Sequence, residues 1–232
     1  MGKLRLEITK GEEIRYISHL DYASAIERTI IRAKLPAAYS EGFNPHMKIS
    51  FASALAVGVT SQAEYMDIEF KEEVELTDAV KRIMATLPPG ISLKRAKYMI
   101  GNTPALMAIV NLATYNVIVP LMGDAEATEE SIRKFNEVSE VLYTRQTPKG
   151  RKEIEIKQYM AEPIVIDVQE QEKVAHLAID IKITPNGSIK PGEILAALVA
   201  NFDLPVDRER ALIHRTGLYV VENDTKVKPI DL

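Results

Sequence analysis

The sequence predicts an α+β protein built from two tandem ferredoxin-like halves, each with the order βαββαβ and an antiparallel sheet. Two observations lead to this fold class. Apolar residues alternate in some stretches and recur at helical spacing in others, and these stretches follow the same order twice along the chain. We therefore expect a first half at residues 1–100 and a second at 114–232, with 101–113 as the junction.

The first half opens with an alternating stretch at residues 3–9, which predicts a strand with one buried face. Ser18 and Asp21 have the spacing of a capping box at a helix start, and Pro36 stops that helix. The core side of the helix is expected to carry Leu20, Ala23, Ile26, Ile30 and Ala33. The remaining predicted elements are strands at 48–51 and 65–70, a short helix between Thr77 and Pro88, and a strand at 91–99.

The second half repeats this order without obvious sequence identity to the first. Its predicted elements are a strand at 115–120, a helix at 128–143, strands at 151–159 and 175–183, a helix at 191–202 and a strand at 211–221. Pro191 stands in the first turn of its helix, where a missing N–H has no consequence.

Composition excludes several kinds of chemistry. The chain has no cysteine, so it cannot supply a disulfide, a thiol nucleophile, a zinc ribbon or a thiolate-ligated iron–sulfur cluster. No apolar run approaches the roughly 20 residues that span a bilayer, and residues 1–7 alternate rather than form a signal peptide. We therefore expect a cytoplasmic protein that does not enter a membrane and carries no cofactor.

The loop at residues 39–48 is the first candidate for a binding site. It combines polar, charged and turn-forming residues between a helix and a strand, where a rigid scaffold often presents binding groups. The candidates in it are Tyr39, Ser40, Glu41, Gly42, Asn44, His46 and Lys48. A structural interpretation is also open, because Gly42 can adopt a positive φ and Asn44 precedes a proline in a turn-forming pair.

The start of the first helix is the second candidate, formed by Arg15, Ser18, His19 and Asp21. The positive end of the helix dipole disfavours an imidazolium at His19, and a neutral ring could act as a base or donate to a phosphate. Asp21 also fits a purely capping role. In a ferredoxin-like unit the helix start and the loop lie at opposite ends of the helix. One shared site therefore requires the loop to fold back, or the long segment between the second and third strands to bridge the two regions. No metal is expected, since His19, Asp21 and His46 lack a recognised ligand spacing.

Several stretches resemble the radical-SAM-linked proteins, small bacterial modules that are encoded beside or fused to radical SAM proteins and have no assigned function. The matching stretches are residues 15–21, 38–45, 48–52, 57–59, 64–67 and 215–219, the last of which includes Arg215. The resemblance implies a radical SAM protein as a partner. Any SAM-binding cluster must belong to that partner, because this chain has no cysteine.

The leading functional hypothesis is an accessory protein that binds RNA, or another macromolecular substrate, for modification or processing. Tandem ferredoxin-like halves resemble, in fold only, the CRISPR repeat-processing endoribonucleases, which bind RNA along a basic cleft. The glycine-rich loop of those nucleases is missing here. Basic clusters that could contact phosphates occur at Arg28, Arg32 and Lys34, at Lys94, Arg95 and Lys97, and at Arg145, Lys149, Arg151 and Lys152.

Two further hypotheses remain open. The chain could be a protein-interaction module that docks on a radical SAM enzyme without touching nucleic acid, which suits the net charge of −4. It could also be a metal-free ribonuclease-like enzyme, with His19 or His46 as the base and Tyr39 or Lys48 assisting.

Overall fold

The protein is described by a computed structural model that covers residues 2–101, 103–147 and 150–232. Within these residues it has a mixed α+β fold of five α-helices and eleven strands, and the sheet is mostly antiparallel. The expected α+β class with mostly antiparallel strands is thereby confirmed. The chain divides into two compact units, Met1–Asn111 with Gly217–Leu232, and Leu112–Thr216.

The first unit places two helices on one face of a sheet. Its first elements are β1 (Lys3–Lys10), α1 (His19–Arg32), β2 (Ile49–Phe51), β3 (Val59–Glu69), α2 (Leu76–Thr86), β4 (Leu93–Met99) and α3 (Leu106–Ile109). Strand β1 lies between β4 and β3, and β2 pairs with β3. The alternating Leu4, Leu6 and Ile8 of β1 pack into one core with Ile26 and Ile30 of α1, as the periodicity predicts.

The second face of β1 is also buried, so the expectation of a half-buried strand is wrong. Arg5 and Glu7 are each only 1% exposed. The guanidinium of Arg5 donates to the carbonyl of Pro229 at 2.7 Å, because the end of the chain returns to this unit. Tyr65 and Asp67 of β3 are buried on this face as well.

Leu20 is another departure from the sequence prediction, since it is 77% exposed rather than part of the core. The buried positions of α1 are Tyr22, Ile26, Thr29 and Ile30. Leu20 precedes Tyr22 by two residues, a rotation of about 200° around the helix, and therefore points away from the sheet.

The second unit contains strands of the main sheet and a separate two-stranded hairpin. Its elements are β5 (Leu112–Pro120), α4 (Ala125–Glu137), β6 (Leu142–Thr147), β7 (Gly150–Glu155), β8 (Val165–Gln169), β9 (Val174–Lys182), α5 (Pro191–Phe202) and the first part of β10 (Leu212–Glu222). The rest of β10 and β11 (Thr225–Val227) belong to the first unit. Strand β9 lies between β5 and β8, with Leu177, Ile179 and Ile181 buried on one face as expected.

Two predicted elements of the second unit are wrong. The strand expected at 151–159 corresponds to β7, which ends at Glu155. It pairs with β6 in a separate two-stranded sheet, and β8 instead pairs with β9 in the main sheet. The helix expected at 128–143 ends at Glu137, because Val138 already has extended backbone angles. Val138 and Leu142 continue the helical spacing but are partly exposed, so no core contact extends the helix.

No helix in the described part of the chain combines the length and the apolarity that crossing a membrane requires.

Candidate functional site

The first turn of α1 is closed by a pair of side chains. Ser18 is the N-cap, its hydroxyl oxygen accepts from the N–H of Asp21 at 3.1 Å, and the hydroxyl donates to the Asp21 carboxylate at 2.7 Å. The predicted capping role of these two residues is confirmed. His19 is half-buried, and its ring meets the ring of Phe51 edge-on, with centroids 5.1 Å apart. Phe51 thus fixes the imidazole at the end of β2.

Arg15 is buried and acts as a clamp between two loops. Its guanidinium donates to both carboxylate oxygens of Glu12, at 2.7 and 2.5 Å, and to the carbonyl of Gly58 at 3.0 Å. The carbonyl of Arg15 in turn accepts from the N–H of Gly58 at 3.0 Å and from the ammonium of Lys10 at 2.8 Å. We call this set of bonds the Arg15 clamp. It gives Arg15 a positioning role.

Three large apolar side chains are exposed in the segments next to the Arg15 clamp. Tyr16 is 76% exposed, Leu20 77% and Val57 57%. Tyr16 follows the clamp arginine, Val57 precedes the clamped Gly58, and Leu20 lies in the first turn of α1. These three residues are called the helix-start patch below. Exposed apolar side chains that are gathered on a fixed scaffold are typical of interaction surfaces.

The loop at residues 39–48 is a small hairpin with an ordered base. The N–H of Ser40 donates to the carbonyl of His46 at 2.8 Å, and the N–H of His46 donates to the Ser40 hydroxyl oxygen at 3.0 Å. The N–H of Lys48 donates to the carbonyl of Ala38 at 2.8 Å. Gly42 has a φ of +118°, as the turn interpretation expected, so it allows the reversal at the tip.

The tip of this loop presents its side chains to solvent. Phe43 is fully exposed, and Glu41, Asn44 and His46 are exposed beside it. At the base, the Lys48 ammonium pairs with Glu69 at 3.4 Å, and Lys71 lies 5.5 Å from the centre of the Tyr39 ring. The loop is therefore held by its backbone while most of its side chains stay accessible.

The helix start and the loop are placed by opposite ends of β2. His19 contacts Phe51, which is the last residue of β2. Lys48, in the loop, comes directly before the first residue of β2. Three extended residues span about 10 Å. We therefore describe the helix-start patch and the loop as two surfaces of the first unit.

Arg215 lies in the second unit and is buried. Its guanidinium donates to the Tyr115 hydroxyl at 3.2 and 3.0 Å, from Nε and Nη2. Tyr115 is itself buried in β5, so this pair joins two strands of that unit. Two residues further along β10, the Tyr219 ring lies over Gly217, where an added Cβ would come within 2.3 Å of it. The matching stretch 215–219 is thus explained in part by packing.

A buried polar layer in the first unit was missed by the sequence interpretation. The guanidinium of Arg5 donates to both carboxylate oxygens of Asp67, at 2.7 and 2.9 Å. The Tyr65 hydroxyl lies beside the Glu7 carboxylate without hydrogen-bond geometry. Burial, and then the Glu7 carboxylate, hold the pKa of Tyr65 well above its ordinary value. In the sequence, the only indication of this buried layer was the series of charged residues on the second face of β1.

Lys10 belongs to the same layer. Burial lowers the pKa of its ammonium, Arg15 acts in the same direction, and Glu64 opposes both. The ammonium donates to the carbonyls of Arg15 and Ile17, so its charge stabilises the turn before α1. Among the residues that the structure describes, no group of three or more histidine, aspartate and glutamate side chains could hold a metal ion.

The fold and the surfaces together define a two-unit α+β protein that exposes the helix-start patch next to the Arg15 clamp. The chain belongs to the family described as "Uncharacterized protein conserved in bacteria (DUF2344)", whose model matches residues 3–191. A search of curated proteins gave no match.

Two solved structures are similar to this chain to different degrees. A chain of the "Crystal Structure of a Cbf5-Nop10-Gar1 Complex" aligns with a TM-score of 0.50 at 10% identity, over 95% of this chain and 48% of that one. This chain therefore spans about half the length of that neighbour, and at such identity the likeness concerns the fold alone. The encapsulated DyP-type peroxidase from Mycobacterium smegmatis aligns at a TM-score of only 0.21 and 8% identity, over 94% and 90% of the two chains, which bears on neither fold nor function.

Proposed function

We propose that this chain is an accessory protein that docks on a partner protein through the helix-start patch. The radical SAM enzyme implied by the sequence resemblance is the partner we favour. The observation that carries the proposal is the exposure of three apolar side chains near the Arg15 clamp. Tyr16 and Val57 adjoin the hydrogen-bonded clamp residues, and Leu20 lies in the first turn of α1. Burying an apolar side chain of this size stabilises a complex by about 1.5–3 kcal/mol, and a fixed scaffold loses little conformational entropy on binding.

Intramolecular pairing of several residues in the basic clusters favours a protein partner over RNA. Arg95 is paired with Asp231, Lys97 donates to the carbonyl of Leu232, and Arg145 is paired with Glu193. Cations with intramolecular partners have less to gain from phosphates. Lys149, from the same set of clusters, lies outside the described residues.

RNA binding through the loop is a second candidate, favoured by one observation. The fully exposed Phe43 stands beside the donors Asn44 and His46 at the tip of an ordered loop. An exposed aromatic ring with neighbouring donors can stack on an unpaired base and hold its backbone.

The ribonuclease hypothesis has less support. It needs a base beside a second catalytic group. His19 packs on Phe51 at one end of β2, away from Tyr39 and Lys48 at the other end, which counts against His19 as the base. His46 shares the loop with Tyr39 and Lys48, so only the arrangement with His46 as the base is kept.

At the level of fold, we propose that each unit is a ferredoxin-like half. The strand order β4-β1-β3-β2 in the first unit and β10-β5-β9-β8 in the second supports this proposal. The hairpin of β6 and β7 then counts as an insertion after the first helix of the second half.

Calorimetric titration against a purified radical SAM enzyme of the kind that the sequence resemblance implies tests the docking proposal. Replacing Leu20 and Val57 together by serine should weaken the complex at least tenfold, which corresponds to about 1.4 kcal/mol. A matched control replaces Ile31 and Met84 by serine, since these residues are 59% and 60% exposed elsewhere on the first unit. The control should bind within twofold of the native chain.

Equal weakening in both double variants, or no complex with the native chain, would overturn the docking proposal. Retention of total cellular RNA at low and high salt provides the parallel test. Salt-sensitive retention that is lost when Asn44, His46 and Lys48 become alanine would establish the RNA candidate instead.

A further inference from the structure

We propose that the outer edge of β8 in the second unit binds an extended, lysine- or arginine-rich segment of a partner protein by strand addition. This surface is separate from the helix-start patch and the loop. In the described part of the chain, β8 pairs with one strand only, β9, in a register that runs from Val165 opposite Ala178 to Gln169 opposite Val174. Alternate residues of β8 therefore turn their N–H and C=O groups away from the sheet, where an added strand can bond to them.

The edge is held rigidly at its start. The side-chain amide of Asn136 donates to the carbonyl of Ile164 at 2.9 Å, and the N–H of Ile164 donates to the Asn136 side-chain oxygen at 2.9 Å. Asn136 thus bonds to the residue before β8 as a neighbouring strand would, and Ile164 is anchored in the core. The free edge begins one residue later, at Val165, whose side chain is 65% exposed.

The charge around the edge selects the partner. Residues 162–173 contain four exposed carboxylates, at Glu162, Asp167, Glu170 and Glu172, and one cation, Lys173. Carboxylates beside and beyond the strand favour lysine or arginine side chains in the added segment and repel acidic ones.

The same charges disfavour a second copy of this chain as the occupant. Antiparallel pairing of two β8 strands about their centre places Asp167 opposite its own copy, and like charges directly opposite each other are destabilising. The same register places Glu162 opposite Glu172, which adds to this repulsion.

The test uses a fluorescent peptide of alternating lysine and valine, eight residues long and blocked at both ends, with a glutamate–valine peptide of equal length as the probe control. Anisotropy titration should show binding of the basic peptide at least tenfold tighter than of the acidic one. Amide hydrogen exchange should slow at alternate residues of β8 when the basic peptide is bound, since those N–H groups become bonded.

Charge reversal supplies the protein variants. Asp167→Lys should weaken binding of the basic peptide at least tenfold, whereas Glu140→Lys, which changes an exposed acid outside residues 162–173, should change it less than twofold. Unchanged exchange at β8, equal loss in both variants, or equal binding of the two peptides would overturn the proposal. Self-association that protects the β8 amides without peptide would overturn it in favour of a second copy.

Discussion

At the scale of single residues, the buried pair of Arg5 and Asp67 is the charged contact on which the first unit depends most. Both side chains are almost fully buried, and each guanidinium–carboxylate bond is short. Removing one partner of such a pair leaves a charge in the interior, which is far more unfavourable than losing a pair at the surface.

Asp67→Ala should therefore lower the free energy of unfolding by about 3–5 kcal/mol, as measured by urea denaturation. The comparison is Asp78→Ala, which breaks the surface pair with Arg82, both partners of which are more than 40% exposed, and should lower it by less than about 1 kcal/mol. If the two losses are equal, the buried charge is not the source of the effect. Replacing Arg5 and Asp67 together by methionine and leucine should recover most of the loss.

Tyr65 gives a prediction on pH dependence. Its pKa is raised, so above the ordinary value of 10.0 the unfolded chain loses the phenolic proton while the folded chain keeps it. The folded state then binds more protons, and stability falls as the pH rises, by about 1.4 kcal/mol per pH unit for this group. Tyr65→Phe should make the loss of stability above about pH 10 less steep.

Urea midpoints at several alkaline pH values provide the measurement. Tyr22→Phe is the comparison variant, because burial also raises the pKa of Tyr22 and its alkaline slope should flatten too. The two variants differ at neutral pH. The Tyr22 hydroxyl donates to the carbonyl of Thr9 at 2.8 Å, so Tyr22→Phe should lower the free energy of unfolding by about 1 kcal/mol there. Tyr65→Phe, which removes no hydrogen bond, should be nearly neutral there. An unchanged alkaline slope in Tyr65→Phe would contradict the assignment.

At the scale of elements, the loop at 39–48 owes its shape to the backbone. Its base is closed by main-chain bonds between Ser40 and His46 and between Ala38 and Lys48, and its tip turns at Gly42. A loop of this kind can change its exposed side chains without losing its conformation.

Replacing Asn44, His46 and Lys48 by alanine should therefore leave the Tm within about 2 °C of the native value, because surface changes away from caps and cores are small. Calorimetry or circular dichroism measures it. Gly42→Val is the opposing control, since a β-branched residue at positive φ is strained and should lower the Tm. A loss of more than about 5 °C in the triple variant would mean that these side chains maintain the loop.

At the scale of the whole molecule, the first unit is discontinuous in sequence. Residues 217–232 return to it after the chain has formed the second unit. The turn Pro229–Asp231 covers the buried polar layer, with Ile230 in the interior and the carbonyl of Pro229 bonded to Arg5.

Deleting residues 228–232 should destabilise the first unit more than any single surface substitution, by about 3 kcal/mol or more, since a buried isoleucine and a partner of a buried charge are lost together. Urea denaturation followed by tyrosine fluorescence measures the change. Asp231→Asn tests the exposed end of the same turn and should change stability little. A small loss on deletion would show that the covering turn is dispensable.

The sequence predicted the elements that local patterns specify. Alternation in 3–9 and 175–183 gave β1 and β9, helical spacing gave α1 and α5, and the Ser18–Asp21 spacing gave the cap. These features depend on neighbours within a few residues, which is why periodicity and capping chemistry reveal them.

The candidate site was less predictable. The exposure of Leu20 and the burial of Arg15 both contradict what residue type alone favours, because each depends on which segment lies across from it. The patch formed by Tyr16, Leu20 and Val57 could not be found from spacing, since Val57 lies 37 residues after Leu20 in sequence.

By itself the sequence determined the α+β class, the order of most elements and the cysteine-free chemistry. Only the tertiary structure decided that the second face of β1 is interior, that the end of the chain covers it, that β8 rather than β7 joins the main sheet, and that apolar side chains gather beside the Arg15 clamp. The reason is physical. Secondary structure follows from local sterics and periodicity, whereas burial and the assembly of a surface depend on contacts between residues that are far apart in the chain.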